Sequence, residues 1–208
     1  MPIIDHATGL ITCKLVYYGP ASAGKTANLS YLHSSLSGNQ VGSLTTLSTR
    51  RDRTLFFDYI PVELGTVGEY RVRFQLCTVP GQSHNRAVRQ LVLQGVDGIA
   101  FVADSRRECL EENLESLQDL HLNLADQSVA ARSLPFVFQY NKQDLPVDEI
   151  LSAEELSAAL NFRNAPEFAA NAPNGIGVSD TLRALGMQVL RRLGARDEFQ
   201  PQLAEHAA

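Results

Sequence analysis

The 208-residue sequence predicts an α/β fold, with a mostly parallel sheet of six to seven strands, one antiparallel hairpin, and helices on both faces. Apolar, strand-like runs lie near residues 11–18, 54–61, 70–79, 97–103 and 134–140, and segments of helical period lie between most of them. The second and third runs are too close together for a crossover helix. They should therefore pair as the antiparallel hairpin.

Hydrophobic periods and capping motifs predict the individual helices and strands, taken here in chain order. A helix from about Gly24 carries leucines at helical spacing, whereas residues 38–53 show neither period and predict a mobile loop. In the run 70–79, apolar residues alternate with Arg71, Arg73 and Gln75, which indicates a half-exposed strand near the sheet edge. Later helices are predicted after two segments with capping-box spacing, Ser105–Glu108 and Ser152–Glu155, and over Ser179–Leu193.

Length and composition bound the organisation of the chain. With 44% hydrophobic residues, one domain over residues 1–194 is expected, followed by a disordered tail over 195–208. The net charge of −5 and the scattered Lys and Arg residues argue against a nucleic-acid partner. Three widely spaced cysteines suggest reduced thiols in a cytoplasmic protein. No lipidation motif or long apolar run is present, so we expect no direct membrane anchor. We also expect a monomer.

The segment Gly19–Thr26 matches the phosphate-loop pattern G-x-x-x-x-G-K-[ST], and the strand-like run 11–18 leads into it. In such a loop the backbone N–H groups surround a phosphate, Lys25 contacts the outer phosphates, and the Thr26 hydroxyl binds Mg²⁺. A glycine-rich structural turn is the alternative. The residues expected to contact nucleotide are Gly19, Ala21, Ser22, Ala23, Gly24, Lys25, Thr26 and Ala27.

The tetrapeptide Asn141–Asp144 follows a buried run at the carboxyl edge of the predicted sheet, where ligands of open α/β folds bind. Asp144 can accept hydrogen bonds from N1–H and the exocyclic amine of guanine, a pair of donors that adenine lacks. Asn141 and Lys142 would brace the loop and cover the base. A solvated polar turn is the alternative for this segment, and an ATPase or kinase remains the alternative for the whole chain. Ala172 is a weaker candidate, through its N–H, for guanine O6.

The residues that follow the run 70–79 are candidates for contact with the γ-phosphate and for GTP hydrolysis. Gly81 can donate its N–H to a γ-phosphate, and Gln82 can orient an attacking water.

The chain resembles small Ras-like GTPases, and more narrowly the MglA-like bacterial gliding and polarity GTPases. The resemblance covers roughly residues 10–193 and rests on these blocks: 16–20, 53–58, 78–82, 95–98 and 141–146. It implies a GDP/GTP switch with Mg²⁺ and slow intrinsic GTP hydrolysis. It also implies activation by an MglB-like homodimer of the Roadblock type, and effectors in polarity and motility that recruit the protein to cell poles or membrane.

Four residues near the hairpin extend the predicted site. Thr54 is the candidate contact to Mg²⁺ or the γ-phosphate, although a strand-starting threonine is equally compatible with the sequence. Arg53, which the resemblance favours as an arginine finger in cis, is otherwise a solvated arginine. Thr78 occupies the position where Ras-like proteins place a metal-binding aspartate, so we expect Asp58 to supply part of the missing charge. The alternatives for Asp58 are exposure to solvent and pairing with an arginine.

Ala21 replaces a glycine common in Ras-like phosphate loops, and its methyl group should crowd the catalytic glutamine. Together with Thr78, it leaves a second hypothesis open, a GTP-binding scaffold with negligible hydrolysis.

Overall fold

The computed structural model describes residues 2–36, 41–48, 56–80, 86–127 and 133–193. Within these ranges eight strands form one sheet: β1 (Ile3–Asp5), β2 (Leu10–Tyr18), β3 (Thr45–Ser48), β4 (Phe56–Val67), β5 (Tyr70–Thr78), β6 (Gly98–Asp104), β7 (Phe136–Asn141) and β8 (Glu167–Ala170). The strand order is β3-β4-β5-β2-β6-β7-β8, and β1 pairs with the start of β2.

The pairing directions confirm the predicted α/β class. Strands β5, β2, β6, β7 and β8 are mutually parallel, and β4 and β5 form the expected antiparallel hairpin. The short strand β3 adds a second antiparallel pairing to β4, so residues 45–48 are a strand and not part of a loop. Strand β5 lies between β4 and β2 and is therefore two strands inside the edge, although Arg71 on it is exposed.

Five α-helices accompany the strands in the described ranges: α1 (Lys25–Ser35), α2 (Arg86–Leu93), α3 (Leu110–Asp126), α4 (Ala153–Leu160) and α5 (Val178–Arg192). The capping box predicted at Ser152 and Glu155 is present at the start of α4. The one predicted at Ser105 is wrong, because a 3₁₀ turn over Arg107–Cys109 precedes α3 and no side chain caps that helix. The Ser105 hydroxyl instead accepts a hydrogen bond from Gln143 Nε2 at 2.7 Å.

Alternate residues of β2 contribute to two apolar clusters. Leu15 and Tyr17 belong to the cluster that contains α1 and α5, whereas Val16 and Tyr18 belong to the cluster that contains α2, α3 and α4. This period-two alternation places helices on both faces, as predicted. It also directs Tyr18, the last residue of β2, toward α3.

None of the helices in the described ranges is long and apolar enough to cross a membrane. The three cysteines are buried free thiols. Burial raises the pKa of the Cys77 thiol to about 11, which keeps it protonated at neutral pH.

Candidate nucleotide-binding site

The loops after β2 and β7 meet at the carboxyl ends of the parallel strands. The first loop is the predicted phosphate loop, and the second is the predicted base-binding tetrapeptide. Because parallel strands all end at the same edge, two motifs far apart in sequence lie side by side.

Two glycines of the phosphate loop are required by close approaches. Gly19 has a φ of 149°, and a Cβ there would lie 2.1 Å from the Val102 carbonyl oxygen of β6. Gly24 has a φ of 101°, and its Cβ would lie 2.0 Å from Asn141 Nδ2. Only glycine meets both demands, which explains the two fixed glycines in physical terms.

Lys25 is a buried cation, with 7% of its surface exposed. Its Nζ donates hydrogen bonds to the carbonyl oxygens of Gly19 at 2.9 Å and Pro20 at 2.5 Å. Burial, and then the charge of Arg89, lower the pKa of Lys25 to about 8. Lys25 forms no ion pair with the other residues that the structure describes. A buried cation whose hydrogen bonds within those residues go to carbonyl oxygens fits a site for an anion such as a phosphate.

Thr26, Asp58 and Thr78 converge beside the phosphate loop. The Thr26 hydroxyl donates to Asp58 Oδ2 at 2.6 Å, and the Thr78 hydroxyl lies 3.3 Å from the same oxygen. The Asp58 amide donates to Thr78 Oγ1 at 2.8 Å. Asp58 is only 8% exposed, which excludes the solvent-facing alternative. Two hydroxyls and a carboxylate are hard oxygen ligands, so this cluster fits a magnesium ion.

Asn141 joins the two motifs through both ends of its amide. Its Nδ2 donates to the Ala23 carbonyl oxygen at 2.7 Å, and its Oδ1 accepts from the Ala172 N–H at 2.9 Å. All three residues are buried. Asn141 thus holds the phosphate loop and the turn Ala172–Asn174 in one arrangement. A bond from the Ala172 N–H to guanine O6 would have to share or replace the bond to Asn141.

Lys142 and Asp144 follow on the open side of this edge. Lys142 has a positive φ of 71°, and its Nζ donates to Asp104 Oδ2 at 2.6 Å. The Asp144 side chain is exposed and therefore accessible to a ligand.

Sequence reasoning missed Asp104, the last residue of β6, which is fully buried. Burial opposes its charged form, but hydrogen bonds from Arg106 and Lys142 prevail and hold the pKa of Asp104 below its ordinary value. Asp104 thereby fixes the Lys142 stem beside the expected base position. The sequence could have indicated Asp104 by its position at the carboxyl end of a buried strand, the same kind of position that Asn141 occupies.

The predicted residues Arg53, Thr54, Gly81 and Gln82 lie outside the described residues. The structure brings together Gly19 to Thr26, Asp58, Asn141 and Ala172, and places Lys142 and Asp144 at the same edge.

The sheet order and the phosphate loop define an α/β protein with a small-GTPase fold. No family model matches the chain. Over 193 residues it is 49% identical to the mutual gliding-motility protein MglA of Myxococcus xanthus (strain DK1622), which covers 93% of this chain and 98% of that protein. The chain belongs to the MglA family of motility-related small GTPases.

Proposed function

We propose that the protein is a guanine-nucleotide switch that binds GDP and GTP with Mg²⁺, hydrolyses GTP slowly, and acts in bacterial cell polarity and motility. The observation that carries this proposal is the Asn141 bridge between Ala23 of the phosphate loop and Ala172. The bridge supports the proposal because it joins the phosphate loop to the segment that we assign to the guanine base. The relationship to MglA supports the motility role.

Electrostatic attraction between the Lys25 ammonium group and the phosphates contributes to nucleotide binding. The ammonium group of Lys25 exchanges two neutral carbonyl partners for phosphate oxygens, which raises its pKa and stabilises the bound anion. The backbone N–H groups of residues 21–27, at the start of α1, would add hydrogen bonds to the same anion. Asp144 then selects guanine, because adenine would leave its carboxylate without the two donors.

Magnesium, when bound, neutralises phosphate charge and orients the outer phosphates. Thr26 and Asp58 would hold it, with Thr54 as a further candidate ligand. The Thr78 hydroxyl, which bonds to the Asp58 amide and approaches its carboxylate, orients that carboxylate toward Thr26.

For hydrolysis we assign Gln82 to orienting the attacking water, Gly81 to the γ-phosphate, and Arg53 to stabilising charge in the transition state. An arginine in cis allows a partner to activate by positioning these groups and not by donating a residue. The expected activator is an MglB-like Roadblock homodimer. The switch itself is a cytoplasmic monomer, and partners bring it to cell poles or membrane.

A competition assay tests the base specificity. Unlabelled GTP and GDP should displace fluorescent GDP, whereas ATP should not. Asp144→Asn should lose guanine affinity about a hundredfold or more and gain affinity for the xanthine nucleotide, since an amide offers one donor and one acceptor. Asp148→Asn, an exposed aspartate of the same loop, is the matched control and should behave as wild type. Displacement by ATP as effective as by GTP would contradict the proposal.

Hydrolysis separates the switch from the scaffold alternative. The alternative is motivated by Thr78, which removes a metal-binding charge, and by Ala21, which is exposed in the loop. Phosphate release over many turnovers, measured with the Roadblock partner, should exceed the intrinsic rate. An absence of turnover despite GTP binding would favour the scaffold.

A further inference from the structure

Asn28 on α1 and Gln139 on β7 form a reciprocal pair of amide hydrogen bonds in the protein interior. Asn28 Nδ2 donates to Gln139 Oε1 at 2.7 Å, and Gln139 Nε2 donates to Asn28 Oδ1 at 2.9 Å. Both side chains are fully buried. Gln139 lies on the same face of β7 as Val137, which belongs to the apolar cluster that contains α1 and α5. The pair therefore brings polar groups into an apolar cluster.

The remaining amide donors extend this pair to the first turns of two helices. Asn28 Nδ2 also donates to the carbonyl oxygen of Gly24, the residue that precedes α1, at 3.0 Å. Gln139 Nε2 also donates to the Thr181 hydroxyl at 3.0 Å, and this hydroxyl donates to the Gly177 carbonyl oxygen at 2.6 Å. Gly177 precedes α5. Asn28, Gln139 and Thr181 are hereafter called the buried amide network.

The two ends of the network lie at the two halves of the candidate nucleotide site. One end is the second fixed glycine of the phosphate loop. The other end, Gly177, closely follows the turn Ala172–Asn174, in which Ala172 is the candidate contact to guanine O6. Between them, Gln139 precedes Asn141 by two residues on β7. The network is thus a second connection between the segments that the Asn141 bridge joins.

Every amide donor of the network has an acceptor. The two amide groups have four N–H bonds between them, and each amide nitrogen donates to two different oxygen atoms. Hydrogen bonds are directional and fix the separation of their partners, and a fully satisfied buried network specifies one arrangement of the elements it joins. We therefore expect the start of α1 to keep a fixed position relative to β7 and α5.

We propose that the buried amide network is a positioning element for nucleotide binding, which holds the phosphate loop and the segment assigned to the guanine base at the separation that one nucleotide requires. Its three members are positioning residues, since each is fully buried and acts through the backbone of Gly24 or Gly177. The inference rests on the proposed function as a guanine-nucleotide switch. Without the network the two halves have the required separation for less of the time, so the affinity for nucleotide falls.

The test is the double variant Asn28→Leu with Gln139→Met in the full chain. Both replacements keep the approximate size of the side chain, and together they remove both amide groups. The Gly24 carbonyl keeps its bond from the N–H of residue 28 at 3.1 Å, and the Thr181 hydroxyl keeps its bond to Gly177. Because no amide donor is left buried without an acceptor, the free energy of unfolding in urea should stay close to that of wild type.

The affinity of the double variant for fluorescent GDP in the presence of Mg²⁺ should nevertheless fall about tenfold or more. A tenfold loss corresponds to about 1.4 kcal/mol, which is the scale of one intramolecular hydrogen bond. If the network served stability alone, a variant as stable as wild type would bind GDP as wild type does. An affinity equal to that of wild type would therefore overturn the proposal.

Thr181→Val is a second variant that removes only the α5 end of the network. Valine keeps the branched shape of threonine, and the Gly177 carbonyl keeps its bond from the N–H of residue 181 at 3.1 Å. This variant tests the proposal even if the double variant does not fold. Its affinity for fluorescent GDP should also fall, and an unchanged affinity would overturn the assignment of the α5 end.

Gln188→Met is the matched control on the same helix and the same strand. Gln188 Nε2 donates to the Phe136 carbonyl oxygen at 3.1 Å, and Gln188 Oε1 accepts from the Phe136 N–H at 3.1 Å. Phe136 is the first residue of β7 and lies at the end opposite Asn141. Gln188→Met should lower stability and leave the affinity for GDP unchanged. A loss of affinity as large as that of the double variant would overturn the proposal, because any loosening of α5 would then suffice.

Amide hydrogen exchange without nucleotide gives a readout that does not depend on binding. The double variant should accelerate exchange in α1, whereas Gln188→Met should leave exchange in α1 unchanged. If wild type binds no fluorescent GDP, the proposed function fails, and the exchange data alone decide whether the network fixes α1. Unchanged exchange in α1 of the double variant would overturn that role.

Discussion

Replacing Asn141 with alanine should destabilise the protein and weaken nucleotide binding together. The substitution leaves the Ala23 carbonyl and the Ala172 N–H without the partners they have at 2.7 and 2.9 Å. Both residues are fully buried. An unsatisfied buried backbone group costs about 1–3 kcal/mol, so the two together cost about 2–6 kcal/mol. This is a large share of the roughly 5–15 kcal/mol that stabilises a typical domain.

Asn161→Ala is the matched control for this prediction. Asn161 also bridges a loop, since its Nδ2 donates to the Ala165 carbonyl at 2.8 Å and its Oδ1 accepts from the Ala165 N–H at 2.9 Å. Unlike Ala23 and Ala172, Ala165 is only partly buried. Asn161 lies at the end of α4, away from the phosphate loop. Asn161→Ala should therefore lose some stability, although less than Asn141→Ala, because water can reach the groups it leaves unpaired. Only Asn141→Ala should lose nucleotide affinity.

Urea unfolding with and without saturating GDP measures both effects. Ligand binding to the folded state raises the free energy of unfolding by an amount that depends on the dissociation constant. The increase on adding GDP should be smaller for Asn141→Ala than for wild type, and equal to wild type for Asn161→Ala. A loss of less than about 0.5 kcal/mol for Asn141→Ala, well under the expected cost, would refute the reasoning. So would a GDP-dependent increase equal to that of wild type.

Three further predictions concern the rest of the site. Ala21→Gly should accelerate single-turnover GTP hydrolysis, by up to about a hundredfold, without changing GTP affinity. If Ala21→Gly and wild type hydrolyse GTP at equal rates, both with and without the activator, crowding by the methyl group is contradicted. Thr78→Asp places a second carboxylate beside Asp58, and like charges at about 4 Å repel by about 4 kcal/mol at an effective dielectric constant near 20. Its melting temperature should therefore drop in chelator and recover with Mg²⁺, and a drop that Mg²⁺ does not reverse would count against a metal site here. Asp104 has a lowered pKa in the folded state, so its stabilisation is present above its ordinary pKa of 3.8 and is lost as the pH falls through the folded value. The difference in unfolding free energy between wild type and Asp104→Asn should accordingly shrink in acid, and a pH-independent difference would show that the charge is not responsible.

The sequence predicted those elements whose patterns are long enough to detect. Strand β5 and helices α3 and α5 follow clear periods, and β7 is a continuous run of buried residues. Strands β1, β3 and β8 contain only three or four residues each, and β1 is exposed along its length. A segment of this length has no resolvable period, so it becomes a strand only because a neighbouring strand offers free hydrogen-bonding groups.

Some residues of the candidate site could be predicted from local sequence patterns, and others could not. The phosphate loop and the tetrapeptide carry fixed spacings, because short loops must present several groups to one ligand. Asp104 carries no such spacing, since its partner Lys142 is 38 residues away in sequence. Contacts of this kind arise from the order of the strands and the packing of the helices, which local patterns do not encode.

We propose that the position of Asp58 on a neighbouring strand accommodates the threonine at position 78. Thr78 and Asp58 lie on the antiparallel pair β5 and β4, and the Asp58 amide bonds to the Thr78 hydroxyl. The Asp58 carboxylate on β4 lies 2.6 Å from the Thr26 hydroxyl, where it could supply the charge that β5 lacks. Thr26 directly follows the buried cation Lys25. A second carboxylate at Thr78 would cancel more of this positive charge and repel phosphate, so the threonine favours nucleotide binding before a metal ion is bound.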